Sequence, residues 1–79
     1  MTVKDFIKIK RAEVKLSQPE LASKAGVGLR FIRDLEQGKK TVRMDKVNQV
    51  LYLFGAELGP VNIKRDLLLE KIEKAAIHP

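Results

Sequence analysis

The feature that most restricts the fold of this sequence is a helix start followed closely by a turn. Ser17 and Glu20 stand three residues apart in front of an apolar run, which is the pattern of a helix capping box, and Pro19 fits the first helical turn. We therefore expect a helix to begin at Gln18. Gly26 is suited to the positive φ that often follows a helix C-terminus. The spacing predicts a helix of about two turns that ends in a tight turn.

Further segments repeat their apolar residues at helical spacing. They predict helices at residues 3 to 15, 29 to 37, 44 to 54 and, with weaker periodicity, 65 to 76. Residues 56 to 63 contain Gly and Pro, and we expect a short C-terminal edge strand or an extended linker there. The fold class predicted is a compact all-α domain of four to five helices. The side chains expected in its core are Phe6, Ile32, Leu35, Val47, Leu51 and Phe54.

The positive charge is concentrated in the first half of the chain. Residues 1 to 43 hold 11 Lys and Arg against five Asp and Glu, whereas residues 44 to 79 hold five of each. The first half therefore carries the whole net charge of +6. A uniformly solvated surface would spread this excess more evenly, so the asymmetry favours a face that binds a polyanion, nucleic acid before anionic lipid.

The two short helices around Gly26 and the basic loop after them have the geometry of a helix-turn-helix. In that motif the second helix enters the DNA major groove by its N-terminal end, and the first lies across the phosphate backbone. Ala22 and Ala25 allow the two helices to approach closely, while Arg30 and Arg33 project from the outer face of the second. The pattern predicts a DNA-binding module.

Four motifs lie within residues 5 to 58: L-S-Q-x-E-L-A, A-G-V, F-I-x-x-L-E-x-G, and K-x-T-V-R-M-D with the L-x-x-F-G-A-E-L after it. Together they resemble the Xre/Cro-type helix-turn-helix family, and in particular its HipB-like antitoxin branch. The resemblance implies a lambda-repressor-like DNA-binding domain, usually dimeric, that represses transcription, often of its own operon. In the HipB-like branch such a domain also binds a HipA-like kinase toxin. We expect the DNA-binding domain at 1 to 55 and a dimerisation or partner-binding extension at 56 to 79.

The resemblance also implies roles for single residues. Gln18 matches a family glutamine at a helix N-terminus that meets a phosphate. Arg30 matches a position whose side chain reaches base edges, where an Arg can bond guanine O6 and N7 as a fork. Arg11 and Glu36 match positions that pair between the first and third helices, and the arginine there also faces the DNA backbone.

Two residues depart from the family pattern. Gly28 replaces the usual Ser or Thr that caps the recognition helix, and Arg33 replaces a small Ser, so the groove-facing surface is more basic and its cap weaker. Leu29 is expected to be half-buried or to touch a thymine methyl group. The alternative for the basic side chains is an ordinary solvated surface. The residues expected to contact DNA are Arg11, Gln18, Gly28, Leu29, Arg30, Arg33, Lys39, Lys40 and Arg43.

A twofold dimer assembled through residues 56 to 76 is expected, because one helix-turn-helix reads only a few base pairs of a palindromic operator. The apolar side chains there exceed what a 79-residue core readily hides. Pro60 cannot donate to a strand ladder, so a paired strand must be short and at an edge. The alternative is a terminal helix that covers its own core in a monomer. The expected dimer or partner contacts are Leu58, Val61, Ile63, Leu67, Leu68 and Ile72.

Other function classes find no support in the sequence. The carboxylates are scattered and the hydroxyl residues have no His partner, so we expect no enzyme. There is no Cys and only one His, His78, so we expect no metal and no cofactor. The longest apolar run, which begins at Val50, is far too short to span a membrane, and a soluble cytoplasmic protein is expected.

Two function classes remain open from the sequence. The first is a sequence-specific DNA-binding repressor. The second is a protein-interaction module, an antitoxin or adaptor that holds another protein through the segment containing Leu67 to Ile72, with DNA contact secondary. The presence of a toxin gene beside this one would favour the second class.

Overall fold

The computed structural model of the protein describes residues 1–61 and 69–72. Its helices within these ranges are α1 (Val3–Glu13), α2 (Gln18–Ala25), α3 (Leu29–Glu36) and α4 (Met44–Tyr52), and residues 69–72 are helical as well. The prediction of an all-α fold is confirmed. Residues 56–61 form neither strand nor helix, whereas the rest of the predicted strand and most of the predicted fifth helix lie outside the described residues.

Side-chain caps begin the first two helices. The Ser17 hydroxyl accepts the Glu20 backbone N–H at 3.2 Å, and the Glu20 carboxylate accepts the Ser17 N–H at 3.0 Å, so the predicted capping box is present. The hydrogen bond from the Ser17 N–H holds the pKa of Glu20 below its usual value. At α1, Thr2 accepts the N–H of Asp5 in the same way. Gly28 and Arg43 precede α3 and α4 without a side-chain cap.

The four helices end in the same hydrogen-bonded turn, in which two successive N–H groups bond back into the last helical turn. After α2, the Gly26 N–H bonds to Ser23 and the Val27 N–H to Ala22, with Gly26 at a φ of 72°. Glycine occupies this left-handed position after α3 and α4 also, but Lys15 occupies it after α1, at a φ of 56°. A side chain with a Cβ is strained in that region.

Because of these turns, three helices end earlier than the sequence predicted. The expected bounds at residues 15, 37 and 54 are each one or two residues too long, because the turns begin before them. The helices end at Glu13, Glu36 and Tyr52. The apolar periodicity continues into the turns, so it does not mark the last hydrogen bond of the helix.

The core lies between all four helices. Of the predicted core, Ile32, Leu35, Val47 and Leu51 are buried as expected, whereas Phe6 and Phe54 are only half-buried at its edge. The prediction of buried Phe side chains was wrong because smaller aliphatic groups fill the centre. The side chains with the least exposure are Ile7, Leu21, Ile32 and Val50.

The chain after α4 contributes to this same core. Ala56 and Leu58 pack against it, and the Leu58 backbone N–H donates to the Asn48 side-chain oxygen at 2.7 Å. Leu58 is thereby held on the body of the domain, three residues beyond the boundary expected at residue 55.

Candidate nucleic-acid interface

The packing of α2 against α3 fixes the two helices of the predicted DNA-binding motif. Ala22 and Ala25 are both buried where the helices meet, as their small size predicted. α3 also packs against α1, and α4 packs against α2. The Gln49 side-chain amide donates to the carbonyl of Ala25 at 3.3 Å and so joins α4 to the end of α2. α3 is therefore supported from behind by two helices.

The two faces of α3 differ sharply. Ile32, Leu35 and Glu36 are buried, whereas the Arg30 side chain is 90% exposed and Arg33 is exposed one turn further on. The helix begins at Gly28, which is exposed and has no atom near the position that a Cβ would take. The N-terminal N–H groups of α3 consequently have no side-chain cap, which agrees with the weaker cap expected from this glycine. α3 presents a basic face and an open N-terminus.

A part-buried ion pair holds α3 on α1. Arg11 donates from Nε and Nη2 to the two oxygens of Glu36, at 2.8 and 2.9 Å, and from Nη1 to the carbonyl of Leu16 at 3.0 Å. The Glu36 side chain is only 3% exposed. The hydrogen bonds to Glu36 raise the pKa of the Arg11 guanidinium above its ordinary value. The pairing that the family resemblance implies for these two residues is present.

Gln18 belongs to the same network. Its side-chain amide donates to Glu36 Oε1 at 3.4 Å, so the first residue of α2 is tied to the last residue of α3. An amide has two N–H groups and one carbonyl oxygen, and a guanidinium has five N–H groups. Gln18 and Arg11 therefore retain donors beyond those used within the protein.

A second cluster forms around Asp34. Oδ1 of Asp34 lies 3.6 Å from Arg30 Nε, and Oδ2 lies 3.5 Å from Lys39 Nζ. The carboxylate is 23% exposed, and it brings a side chain of α3 together with a side chain of the following loop. Two of the cations expected at the DNA interface thus share one anion.

The loop between α3 and α4 carries the remaining cations. The side chain of Lys4 passes over Gly38, and a Cβ placed on Gly38 would lie 3.1 Å from the Cδ of Lys4. A surface groove there is lined by Lys4, Lys39 and Lys40. Arg43 instead pairs with Asp45, at 2.6 Å between Nη2 and Oδ2, and that hydrogen bond lowers the pKa of Asp45. Arg43 is therefore held by α4 and not by the cluster around Asp34.

The structure thus brings four of the predicted DNA contacts together in two ion-paired groups, and Lys40 lies beside Lys39 in the surface groove. Arg11 and Gln18 meet at Glu36, and Arg30 and Lys39 meet at Asp34. Arg33 and Lys40 are exposed, and Leu29 is half-buried against the core, which was one of its two expected environments.

The sequence analysis did not identify Asp34 and Lys4 as members of this surface. The i,i+4 spacing from Arg30 could have identified Asp34. No sequence signal connects Lys4 to residue 38, because only the packing of α1 on α3 brings them together.

The predicted dimer or partner contacts divide into three classes. Val61 is 81% exposed and Ile72 is exposed, whereas Leu58 is half-buried against its own core. Ile63, Leu67 and Leu68 lie outside the described residues. A groove of about 370 Å³ separates the start of α1 from residues 56–61 and is lined by Phe6, Leu58 and Val61 among others. Exposed apolar side chains that the sequence reasoning missed are Tyr52 and Leu53 at the end of α4.

Residues 1–61 and 69–72 contain no group of three His, Cys, Asp or Glu side chains able to hold a metal ion. No helix in that part of the chain is long and apolar enough to cross a lipid bilayer.

Comparison with known proteins agrees with this geometry. The model of the family described as "Helix-turn-helix" matches residues 7–59. An uncharacterized HTH-type transcriptional regulator of Sinorhizobium fredii, y4mF, is 54% identical over 53 residues, which cover 67% of this chain and 70% of that protein. The matched residues include all four helices except the first turn of α1, together with the chain as far as residue 59. The chain therefore belongs to the helix-turn-helix family of DNA-binding transcriptional regulators.

Proposed function

We propose that this protein is a transcriptional repressor that binds a palindromic double-stranded operator as a homodimer, with α3 in the major groove. The observation that carries the proposal is the position of Arg30. It is 90% exposed at the N-terminal end of a helix whose opposite face is buried. This is the end of a recognition helix that contacts base edges.

In this proposal the other cations orient the protein on the DNA duplex. The donors that Gln18 and Arg11 retain bind phosphates on either side of the groove, as do Lys39 and Lys40 in the loop. The part-buried Arg11–Glu36 pair keeps α3 at a fixed angle to α1 while these contacts form. Arg30 reads one base pair, for which guanine is the preferred base. Arg33 and Arg43 add phosphate contacts at the edges of the interface.

The dimer is proposed from the exposed apolar side chains at the end of α4 and beyond it. Exposed Tyr52, Leu53, Val61, Leu69 and Ile72 lie in sequence after the DNA-binding helices. A second copy covering these side chains would bring two recognition helices onto successive major grooves, about 34 Å apart. Covering exposed apolar area stabilises such an assembly by about 25 cal/mol per Å² before the cost of association.

We propose further that the protein is a HipB-like antitoxin that represses its own operon. The support is the set of sequence motifs between residues 16 and 58, together with apolar side chains that remain exposed for a partner such as a HipA-like kinase toxin. The same exposed side chains support the second candidate, a protein-interaction module in which DNA contact is secondary. The two candidates differ in whether the partner or the DNA is bound more tightly.

A gel-shift assay on the DNA upstream of its own reading frame tests the proposed function. We expect a discrete complex with that DNA and a much weaker one with a shuffled duplex of equal composition. Arg30→Ala should lower the preference, whereas Lys24→Ala, which removes an exposed lysine of α2 outside the proposed contacts, should leave it unchanged. Equal binding of both duplexes by the wild-type protein would reject the repressor and leave the interaction module.

A further inference from the structure

We propose that Asp34 is a specificity-determining residue of the DNA interface: its carboxylate positions Arg30 for base reading and lowers the attraction of the surface for random DNA. The inference rests on the proposed function, since it concerns how the same interface discriminates between duplexes. Asp34 acts through Arg30 and Lys39 and is a positioning residue.

The geometry gives each carboxylate oxygen one cation. Oδ1 lies 3.6 Å from Arg30 Nε and Oδ2 lies 3.5 Å from Lys39 Nζ. Because Asp34 contacts Arg30 at Nε, the two terminal nitrogens remain available, and these are the donors that bond guanine O6 and N7. The Asp34 side chain is 23% exposed, whereas that of Arg30 is 90% exposed, so the protein packs around the acid more closely than around the base. The carboxylate therefore restricts a side chain that otherwise has many rotamers.

Stability of α3 does not account for this pair of charges. The helix dipole favours acids near the N-terminus and bases near the C-terminus. The Arg30–Asp34 pair has the reverse order, with Arg30 in the first turn of α3, no acid in that turn, and Asp34 nearer its end, although Arg33 is a base in the last turn. At i,i+4 spacing the order base then acid is also the less stabilising one. The pair therefore adds little to the stability of the helix, and its role is sought at the surface.

The acid has opposite effects on the two kinds of DNA binding. Random DNA is held by phosphate contacts, and the affinity and its salt dependence both decrease when the number of these contacts decreases. Asp34 pairs with two cations of the interface and repels phosphates, so it weakens binding to every sequence. Base reading depends on the position of the Arg30 guanidinium, and Asp34 strengthens binding to the specific site by holding that group in place. The first effect lowers specific and random binding alike, and the second raises the ratio of specific to random binding.

The test is Asp34→Asn, with Glu13→Gln as the matched control. Both variants remove one negative charge from a residue paired with a base, but Glu13 pairs with Lys10 at the end of α1, away from the basic loop. In low salt we expect Asp34→Asn to bind a random duplex about 3- to 10-fold more tightly, as one additional phosphate contact would. Its preference for guanine at the Arg30 position should fall by about 3- to 10-fold. Glu13→Gln should change both by less than about 2-fold.

A double variant separates positioning from charge. In an Arg30→Ala background, Asp34→Asn should still strengthen random binding through Lys39 but should no longer change base preference. The proposal is overturned if Asp34→Asn keeps the wild-type preference, or if Asp34→Asn and Glu13→Gln strengthen random binding equally.

A measurement without DNA distinguishes failure of this proposal from failure of the proposed function. The motion of the Arg30 Nε–H bond is followed by ¹⁵N relaxation in the free full-length protein, in mildly acidic buffer. We expect a lower order parameter in Asp34→Asn than in the wild type and in Glu13→Gln. Equal order parameters would reject the positioning of Arg30 whether or not the protein prefers its own upstream DNA.

Discussion

Replacement of Arg11 by Met tests how α3 is held on the domain. The substitution keeps the unbranched apolar stem of the side chain but removes the three donors that reach Glu36 and Leu16. The Glu36 carboxylate, 3% exposed, is then left with the Gln18 amide at 3.4 Å as its remaining polar contact among those described. Breaking a buried pair from one side costs about 3–5 kcal/mol.

The lower end of that range applies here because water reaches the Arg11 side chain, which is 24% exposed. We expect Arg11→Met to lower the free energy of unfolding by about 3 kcal/mol, which for a domain of this size lowers the Tm by roughly 12–24 °C. Glu36→Gln should cost less, about 1–2 kcal/mol, since the arginine left behind can be solvated while the glutamate cannot. The double variant Arg11→Met/Glu36→Leu should be within about 1 kcal/mol of the wild type.

Urea unfolding followed by far-ultraviolet circular dichroism measures all three variants. The result that tests the structure is the larger loss of unfolding free energy in Arg11→Met than in Glu36→Gln, because this difference follows from the different exposure of the two side chains. A loss below about 1 kcal/mol for Arg11→Met, or a double variant as unstable as Arg11→Met, would refute this reasoning.

Three further predictions concern other parts of the chain. Lys15→Gly should raise the free energy of unfolding by up to about 1 kcal/mol in a thermal melt, because Lys15 holds a φ of 56° that glycine adopts without strain, and no gain would contradict that assignment. The hydrogen bond from the Ser17 N–H lowers the pKa of Glu20 in the folded protein, so the contribution of Glu20 to stability is present above its unfolded-state pKa and is lost as the pH falls through the folded value. Glu20→Gln should flatten the dependence of stability on pH in that acidic range, and parallel curves for the two proteins would exclude the capping box as its source. Leu69→Glu should convert the proposed dimer to a monomer, as measured by sedimentation at micromolar concentration. The control Val14→Glu, at a comparably exposed apolar residue of the turn after α1, should leave the dimer intact, and a monomeric wild-type protein would refute the dimer.

Local signals in the sequence predicted the starts of the helices better than their ends. The capping box at Ser17 and Glu20 and the left-handed Gly26 were both found where the sequence placed them. The end of α1 was not found, because Lys15 adopts a conformation for which glycine is the usual signal. Periodicity also overestimated the burial of Phe6, since it identifies the inward face of a helix but not how deep a side chain lies.

Individual residues of the candidate interface could be predicted only where they occupy a position of the family motif. Arg30 is exposed on α3 as its motif position implied, and Arg11 pairs with Glu36. The role of Asp34 depends on two contacts that join a helix to the following loop. Such contacts result from tertiary packing, and spacing along the chain does not determine them.

The most direct test of the central claim, that α3 and the basic loop bind DNA, is a fluorescence-anisotropy titration at several salt concentrations. It compares the DNA upstream of the protein's own reading frame with a shuffled duplex. We expect the logarithm of the binding constant to fall with the logarithm of salt concentration by about 0.9 per phosphate contact, several units in total. We also expect the upstream DNA to bind about 1000-fold more tightly or better at physiological salt. A binding constant that is independent of salt, with equal affinity for the two duplexes, would contradict the account.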